Sequence, residues 1–331
     1  MRLSRRGGLR LAEVGAVVCA VTALAACSPP RSRGVECVAP ANPGGGWDLT
    51  CRAAGQVMSE LSLVPGLVRV TNLPGAGGAI AFAHAVAKRA ADENVLFAAS
   101  PATTLRIAQH QFGRFTENDV RWIGAVAADY GVVAVNPASP WRSLQELVEA
   151  WKADPSKVVV GGGSAVGGQD HMKMLVLARA TGMDPRSVRY VPFDGGGEAT
   201  TALLGNFIQV FSGDASEIRG LAESGSVRIL AVLSLARIGP PFESVPTAIE
   251  QGIDVQWIAW RGFYAPPGIS EDAFGRWSLV VTTVGASPAW ARLRKERGLD
   301  AFFLSGPQFE SFVRAEVLRL RELSRELGLI Q

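Results

Sequence analysis

Four glycine-rich turns are the segments of this 331-residue chain best suited to chemistry. Each one follows an apolar run typical of a buried strand and precedes a segment with helical spacing. Glycine lets backbone N–H groups approach a ligand closely, and a helix N-terminus adds about half a positive charge. The turns therefore predict binding of a small anion. Their sequences are Pro43-Gly44-Gly45-Gly46-Trp47-Asp48, Pro74-Gly75-Ala76-Gly77-Gly78, Gly161-Gly162-Gly163-Ser164-Ala165-Val166-Gly167-Gly168 and Phe193-Asp194-Gly195-Gly196-Gly197.

One turn of this kind is more often only a tight turn, but four of them together favour a binding site. In parallel α/β sheets such turns lie at the carboxyl ends of the strands, where ligands bind. The same placement at strand ends adds Ser100, Thr103, Thr104 and Asp214 as candidate ligand-binding residues. His171 begins the helix after the third turn, and a ligand contact and a helix cap are equally good interpretations of it.

The patterns of known catalytic sites are broken or absent in the sequence. A nucleophile elbow around Gly163-Ser164 needs glycine at position 166, where Val166 stands. No Gly-Lys-Ser/Thr follows any of the turns, and the three histidines are too scattered to form a His-Glu-x-x-His zinc motif. We therefore predict a binding protein without enzymatic activity, without a metal and without a cofactor.

The elements that position these turns alternate along the chain. Short apolar runs alternate with helical patterns, which is typical of an α/β protein with largely parallel sheets. Strands are predicted at residues 35–40, 67–72, 95–99, 122–126, 131–136, 158–161, 189–192, 208–212, 228–234 and 258–265. Helices are predicted at residues 47–61, 79–90, 143–152, 168–181, 197–205, 215–224 and 307–327.

The first residues have the features of an export signal. An arginine-rich start is followed by an apolar run of 13 residues, which is too short to span a membrane. The run ends in Leu24-Ala25-Ala26-Cys27, which resembles a bacterial lipobox. We predict a lipoprotein signal peptide over residues 1–26, acylation of Cys27 and a polar tether over residues 27–34. An ordinary signal peptide with an unrelated cysteine is the alternative.

Removal of residues 1–26 leaves an electrically neutral protein. The whole chain has a formal charge of +3, but this segment holds four arginines against one glutamate, so the remainder has 29 basic and 29 acidic residues. A neutral surface has no general attraction for nucleic acid or for anionic lipid. Recognition of an anion must therefore be local, and we predict no nucleic-acid partner.

Two cysteines follow Cys27 in the mature chain, Cys37 and Cys51. An even pair in an oxidising compartment predicts a disulfide. Two free thiols and a metal site are the alternatives. A metal is disfavoured because two cysteines without a nearby histidine make only half a ligand set.

Six sequence segments occur in an order that is specific when taken together. They are Pro-Gly-Gly-Gly-Trp-Asp at 43–48 with Arg52, Asn72-Leu73-Pro74-Gly75-Ala76-Gly77-Gly78, Gly163-Ser164 with His171, Val191-Pro192-Phe193-Asp194-Gly195-Gly196, Val245-Pro246-Thr247 with Glu250 and Gly252, and Trp260-Arg261-Gly262-Phe263 before Ala265-Pro266-Pro267-Gly268. This order resembles the Bug or TctC family, the extracytoplasmic solute receptors of tripartite tricarboxylate transporters. The resemblance covers nearly all of residues 36–331.

The resemblance implies an α/β fold similar to type II periplasmic binding proteins. In that fold two lobes are joined by crossing hinge strands and enclose an interlobe cleft. Lobe 1 would comprise residues 35–132 plus 256–331, and lobe 2 residues 133–255, with crossings near residues 133–136 and 256–260.

In the family, loops from both lobes form a pincer on a carboxylate. The positions that match the pincer, with their neighbours in the same turns, are Gly44, Gly45, Gly46, Asp48 and Gly77 in lobe 1 and Gly163, Ser164, Phe193 and Gly195 in lobe 2. Asp48 is expected to cap its helix or hold a water, because a carboxylate repels an anion. Family members often carry Tyr-Lys-Gly where this chain has Phe193-Asp194-Gly195, which disfavours a highly charged tricarboxylate.

The predicted function is that of a lipid-anchored, extracytoplasmic solute-binding protein. It would capture a small organic carboxylate and deliver it to the membrane permease subunits of a tripartite transporter, and we expect it to be a monomer. One alternative is a receptor that reports ligand binding to a membrane sensor kinase. Another is a secreted hydrolase, against which the broken catalytic patterns stand.

Overall fold

Ten strands form one mixed sheet in the part of the chain described by the structure, a computed structural model that covers residues 34–193 and 195–331. The strands are β1 (Glu36–Ala39), β2 (Arg69–Asn72), β3 (Val95–Ala99), β4 (Arg121–Val135), β5 (Val159–Gly162), β6 (Arg189–Pro192), β7 (Val210–Asp214), β8 (Arg228–Val232), β9 (Ile258–Ala265) and β10 (Leu304–Ser305). The helices are α1 (Gly46–Glu60), α2 (Ala79–Ala87), α3 (Pro101–Ala108), α4 (Leu144–Ala153), α5 (Gln169–Ala180), α6 (Gly196–Leu204), α7 (Ala215–Glu223), α8 (Glu271–Ala286), α9 (Pro288–Glu296) and α10 (Gly306–Glu326).

The sheet is parallel at its two ends and antiparallel in the middle. The strand order is β2-β1-β3-β9-β4-β7-β5-β6, and β8 and β10 pair with β4 outside this path. Strand β1 pairs in parallel with β2 and β3, and β5 pairs in parallel with β6 and β7. Strand β9 is antiparallel to both β3 and β4. The predicted α/β class is thus correct, and each end of the sheet carries two of the glycine turns between a strand and a helix.

Strand β4 is the element that links the two ends of the sheet. Its first part, as far as Tyr130, pairs with β9, whereas the part from Gly131 onward pairs with β7 and β8. The sequence predicted two shorter strands here, at residues 122–126 and 131–136, on either side of Asp129. The structure continues through this position with Asp129 only 1% exposed, because other elements supply partners for its carboxylate.

Three helices, α3, α8 and α9, were not predicted from the sequence. Each begins after a serine whose hydroxyl accepts a hydrogen bond from a first-turn N–H: Ser100, Ser270 and Ser287. Proline follows at the first helical position of α3 and α9. Helix α4 begins in the same way, since Ser143 Oγ accepts from the N–H of Glu146 at 3.1 Å.

The apolar face of the last helix, α10, is buried. Phe309, Val313 and Val317 of α10 are fully enclosed, and Leu320 is 1% exposed. These side chains belong to the same core cluster as Trp122 and Trp260 of the central strands. This apolar face therefore packs α10 against the sheet and does not form a groove for a partner.

A disulfide joins β1 to α1 across the first glycine turn. Cys37 and Cys51 are both buried, and their Cα atoms are 5.6 Å apart. We expect neither thiol to react when the unreduced mature protein is denatured and alkylated, because both sulfurs are bonded. Mass spectrometry checks this, with a reduced sample as the control in which both cysteines gain the label. Labelling of both cysteines without reductant would contradict the disulfide.

The predicted signal peptide, Cys27 and the tether up to residue 33 lie outside the described residues. Within residues 34–193 and 195–331, no helix has the length and apolar character needed to cross a membrane.

Candidate functional site

The first two glycine turns pack together after β1 and β2, with Asp48 between them. The Asp48 carboxylate accepts hydrogen bonds from Gly44 N at 2.9 Å, Arg52 Nε at 2.8 Å and Asn72 Nδ2 at 2.9 Å. Burial alone would raise the pKa of Asp48, but the hydrogen bonds from Arg52, Gly44 and Asn72 hold it below its usual range. Asp48 therefore stays ionised and shapes the two turns. Gly44 has φ +86°, a left-handed conformation that favours glycine.

The start of α1 presents the remaining predicted residues of these turns. Gly45 is the N-cap of α1 without a side-chain cap, and Gly46 is exposed. Trp47 donates from its indole N–H to Ser100 Oγ at 3.1 Å. Gly77 belongs to the second turn, and a Cβ added to it would lie 3.2 Å from Arg106 Nε.

Ser100 and its two neighbouring threonines lie at the start of α3 and are buried. Ser100 Oγ accepts from Ala102 N, and Thr103 Oγ1 accepts from Ser100 N, so both side chains take part in capping the helix. Thr104 donates to Glu316 Oε2 at 2.8 Å and thus faces the core. Trp47 connects this helix start to the first glycine turn, so the structure brings Ser100 to the loops that the sequence selected.

The third turn is held by Ser164 and His171. Ser164 Oγ accepts from Asp170 N at 3.0 Å, and His171 Nδ1 accepts from Gly167 N at 3.0 Å. Burial lowers the pKa of His171 to about 4, so the imidazole is neutral at physiological pH. Ser164 Oγ and His171 Nδ1 each accept a hydrogen bond from a nearby backbone N–H group. Ser164 and His171 therefore do not form a pair of nucleophile and base. The Gly167 bond gives His171 a structural role in the turn.

The third and fourth turns are in direct contact. A Cβ added to Gly163 would lie 2.4 Å from Gly196 N and 2.5 Å from Gly195 C. Phe193 is half-buried, and its N–H donates to the carbonyl of Gly162 at 3.0 Å. The glycine turns therefore come together in pairs, the first with the second and the third with the fourth. Asp194 lies outside the described residues.

A buried cluster of charged side chains lies between the two pairs of turns. We call it the charge cluster; its members are Asp129 of β4, Asp170 and Lys173 of α5, Asp214 of β7 and Arg261 of β9. Lys173 Nζ is 2.9 Å from Asp170 Oδ1 and 2.6 Å from Asp214 Oδ1. Arg261 Nη2 is 3.2 Å from Asp129 Oδ2 and 3.3 Å from Asp214 Oδ2. Of these residues, the sequence selected only Asp214 as a site residue.

The charge cluster contains three carboxylates and two cations, which sets the protonation of its members. Burial and the nearby charge of Asp214 raise the pKa of Asp129 to about 6. Burial would also raise the pKa of Asp214, but Lys173 and Arg261 lower it below its usual range. Burial opposes the charge on Lys173 and Arg261, but their carboxylate partners raise the pKa of each, so both stay cationic. The cluster therefore keeps two cations and the anionic Asp214 at the centre of the fold. Within the described parts of the chain, no group of three or more His, Cys, Asp or Glu side chains is arranged to hold a metal.

Glu316 is a buried carboxyl outside the charge cluster and lies under the central strands. It is 8% exposed and accepts from Thr104 Oγ1 at 2.8 Å and from Trp260 Nε1 at 3.0 Å. Burial raises the pKa of Glu316 to about 7, although these two hydrogen bonds act in the opposite direction. The folded protein therefore retains this proton at pH values where an unfolded glutamic acid has released it.

Replacing Glu316 with glutamine is expected to flatten the pH dependence of stability. Between the ordinary glutamic acid pKa of 4.5 and about 7 the folded state binds more protons than the unfolded state. The free energy of unfolding should therefore fall as the pH rises through this window, by about 1.4 kcal/mol per pH unit. Urea unfolding of both proteins at pH 5.5 and 6.5 measures the effect. The titration of His171 changes stability in the opposite direction, but it does so equally in both proteins. Equal slopes of the free energy of unfolding against pH for wild type and Glu316→Gln would therefore refute the assignment.

Several solved structures share this architecture. R. palustris Rpa4515 with adipate has a TM-score of 0.77 and 21% identity, over 90% of this chain and 98% of that one. MatC from Rhodopseudomonas palustris with bound malate has a TM-score of 0.74 and 21% identity, over 89% and 99% of the two chains. The periplasmic binding protein BugD has a TM-score of 0.74 and 23% identity, over 89% and 97%. This chain thus has the fold of these solved structures, which include the periplasmic binding protein BugD.

Sequence relatives identify the family. The profile of the tripartite tricarboxylate transporter family receptors matches residues 52–329. A UPF0065 protein of Bordetella pertussis is 24% identical over 323 residues, 97% of each chain, and Protein BugT of the same organism is 26% identical over 302 residues, 90% of each chain. This chain belongs to the family of tripartite tricarboxylate transporter receptors, and the resemblance seen in its motifs is confirmed. The family and its structural neighbours are solute-binding proteins rather than enzymes, as predicted.

Proposed function

We propose that this receptor captures a small organic carboxylate between two lobes and delivers it to the permease subunits of a tripartite transporter. The observation that carries the proposal is the pairing of the glycine turns. One pair follows the parallel strands β1 and β2, the other follows β5 and β6, and the two pairs belong to opposite ends of one sheet. Backbone N–H groups from two such pairs are suited to hold a carboxylate from both sides.

The lobes follow from the strands that connect the two ends of the sheet. We assign residues 35–132 plus 256–331 to lobe 1 and residues 133–255 to lobe 2. In support, β4 changes its pairing partners near Gly131, and β9 pairs only with β3 and β4 of lobe 1 among its described contacts. Gln109 Nε2 donates to the carbonyl of Gly167 at 2.8 Å and thus connects the two lobes at the third glycine turn.

A carboxylate ligand agrees with what related proteins bind. The adipate of Rpa4515 and the malate of MatC are both small dicarboxylates, held by proteins with this fold. In this chain the neighbourhood of the turns includes several carboxylates of its own, namely Asp129, Asp170 and Asp214. Since like charges repel, we propose a ligand with few negative charges rather than a tricarboxylate.

A thermal-shift screen of the mature protein tests this function. The panel contains malate, adipate, shorter and longer dicarboxylates, monocarboxylates and the corresponding amides as uncharged controls. A true ligand stabilises by RT ln(1 + [L]/Kd), about 2.7 kcal/mol at one hundred times Kd. In small-angle scattering, the protein with the ligand that binds best should have a smaller radius of gyration than the free protein, because a ligand that contacts both lobes favours the closed form. Stabilisation by no carboxylate in the panel would refute the proposal.

We also propose that acylated Cys27 anchors the receptor to the membrane from outside the cytoplasm. The support is Leu24-Ala25-Ala26-Cys27 after an arginine-led apolar run. The variant Cys27→Ser should leave the membrane fraction or remain as an uncleaved precursor, whereas Cys19→Ser, within the signal peptide, should behave as wild type. Carbonate-resistant membrane association of Cys27→Ser, with normal cleavage, would refute the anchor.

A further inference from the structure

A cavity of about 360 Å³ lies beside strand β8, in the part of the chain that we assign to lobe 2. It is enclosed by the turn after β4, the end of α7, the first residues of β8 and residues 241–245. We call it the β8 cavity; its walls include Pro137, Ala222, Arg228, Ile229, Phe242 and Val245. Among the described residues, none of those that line it belongs to a glycine turn or to the charge cluster. The β8 cavity is therefore separate from the proposed carboxylate site, and its volume is in the range of pockets that bind ligands.

Arg228 gives the wall of the β8 cavity a positive charge in a fixed position. Its Nη1 donates to the carbonyl oxygens of Ser139 at 3.1 Å and Trp141 at 3.0 Å, and its Nη2 donates to that of Pro137 at 2.8 Å. These acceptors are neutral, and no carboxylate in the described part of the chain forms an ion pair with Arg228. Nε has no acceptor among the same residues. The guanidinium therefore keeps its charge and can still donate to a carboxylate from outside the chain.

One edge of β8 is only partly covered. The other edge pairs with β4 along the length of the strand. On the free edge, the only strand pairing within the described residues is the parallel bridge between Val232 and Thr247. The side-chain amide of Gln251 also donates to the carbonyl of Leu230 at 2.9 Å. The first two residues of β8 therefore have no strand partner on this edge.

The β8 cavity lies where such a partner strand would run. A parallel continuation of the bridge between Val232 and Thr247 would place Ser244 beside Ile229, three residues earlier in each segment. Instead, Ser244 and Ile229 both line the cavity. An open strand edge of this kind accepts an extended peptide through main-chain hydrogen bonds.

From these features we propose that the β8 cavity and the open edge of β8 bind an extended, acidic segment of a partner protein. An acidic side chain of the segment would accept hydrogen bonds from Arg228, and apolar side chains two positions away would contact walls such as Phe242 and Val245. The strand edge favours a peptide over a free small molecule, because only a peptide has main-chain groups to pair with it. The site goes beyond the proposed function and rests on it only in taking a permease subunit as the partner.

The probe is a fluorescently labelled, amide-capped peptide of the sequence Thr-Val-Thr-Glu-Thr-Val-Thr, followed by fluorescence anisotropy. Wild type should bind it about tenfold more tightly than a copy with glutamine in place of glutamate, the usual contribution of a hydrogen bond between charged groups. A copy with methylated backbone nitrogens should lose most of its affinity, because it cannot donate to the strand edge. Isovalerate, a free small carboxylate with an apolar body, should displace the peptide only at far higher concentrations.

Two variants test the role of Arg228. Arg228→Gln should remove the preference for the glutamate peptide, whereas Arg186→Gln should bind as wild type does. Arg186 is the matched control, because it is an exposed arginine of lobe 2 outside the β8 cavity and its replacement changes the charge equally. Since Arg228 also holds three carbonyl groups, Ser244→Glu is a second variant that leaves those contacts in place. Ser244 is an exposed lining residue, and a glutamate there should weaken binding of the glutamate peptide more than Ser244→Gln does.

The inference is overturned if wild type binds the glutamate and glutamine peptides equally well, if folded Arg228→Gln retains the preference, or if Ser244→Glu binds as tightly as Ser244→Gln. Displacement by isovalerate at the concentration of the peptide would show a small-molecule site and would also overturn it. The variants should keep the wild-type response to the carboxylate panel, because the β8 cavity lies apart from the glycine turns. If the panel fails while the glutamate peptide binds, the proposed function is wrong and this site stands; the reverse result rejects only this site.

Discussion

Replacing Lys173 with methionine is expected to destabilise the protein by about 3–5 kcal/mol, the usual loss when one partner of a buried ion pair is removed. The Lys173 side chain is completely buried and contacts both Asp170 and Asp214. Methionine fills similar volume but carries no charge. Among the described residues, Asp170 would then have no cation within ion-pair distance, and Asp214 would keep only Arg261. Urea unfolding followed by circular dichroism measures the change.

An exposed lysine with the same spacing provides the control. Lys157 lies three residues after its partner, Asp154, at 3.3 Å, just as Lys173 lies three residues after Asp170. The Lys157 side chain, however, is 80% exposed, so water screens the pair and Lys157→Met should change stability little. The two substitutions are chemically identical, so a difference in their effects on stability arises from the burial of Lys173.

Neutralising a carboxylate should partly rescue the variant. In Lys173→Met with Asp170→Asn, the buried asparagine needs a hydrogen-bond partner but no counter-charge, so part of the lost stability should return. Equal destabilisation by Lys173→Met and Lys157→Met would show that the charge cluster contributes nothing specific. No recovery in the double variant would show that the loss arises from packing.

The glycine turns could be predicted from the sequence because their signals are local. Gly44 needs a left-handed backbone, Asp48 lies four residues later within reach of its N–H, and the helix pattern follows at once. Such contacts span a few residues, so spacing alone reveals them. The serine caps of α3 and α9, each followed by proline, were an equally local signal.

The charge cluster could not be predicted in the same way, because its partners are distant in the chain. Asp129 and Arg261 each interrupt an apolar segment of a buried element, and the sequence shows each as a lone charge. Lys173 has Asp170 three residues before it, but its second partner, Asp214, is distant in the chain. A lone charge in such a segment indicates a buried partner, since an unpaired buried charge is too costly. It does not say which partner. That depended on β4 lying between β9 and β7, an antiparallel arrangement that alternating strands and helices did not predict.

Replacing Gly163 with alanine is expected to abolish ligand binding and to destabilise the protein by about 1–3 kcal/mol, the usual cost of overpacking. The added Cβ would lie 2.4 Å from Gly196 N and 2.5 Å from Gly195 C. Both are backbone atoms at the start of α6, so neither can move aside by a change of side-chain rotamer. The third and fourth turns would have to separate, and the amides that they are proposed to present would no longer converge. Calorimetry with the best binder of the carboxylate panel measures the loss.

Gly197→Ala is the matched control for this prediction, because it adds the same methyl group to a glycine that lies two residues after Gly195. Gly197 has nothing within 4 Å of its Cβ position and lies in the first turn of α6. Alanine is favoured over glycine in a helix by up to about 1 kcal/mol, so this variant should be as stable as wild type or slightly more stable. It should also bind the ligand normally. If Gly163→Ala folds and binds as Gly197→Ala does, contact between the two turns is not required for binding, and the ligand must be held by the first pair of turns alone.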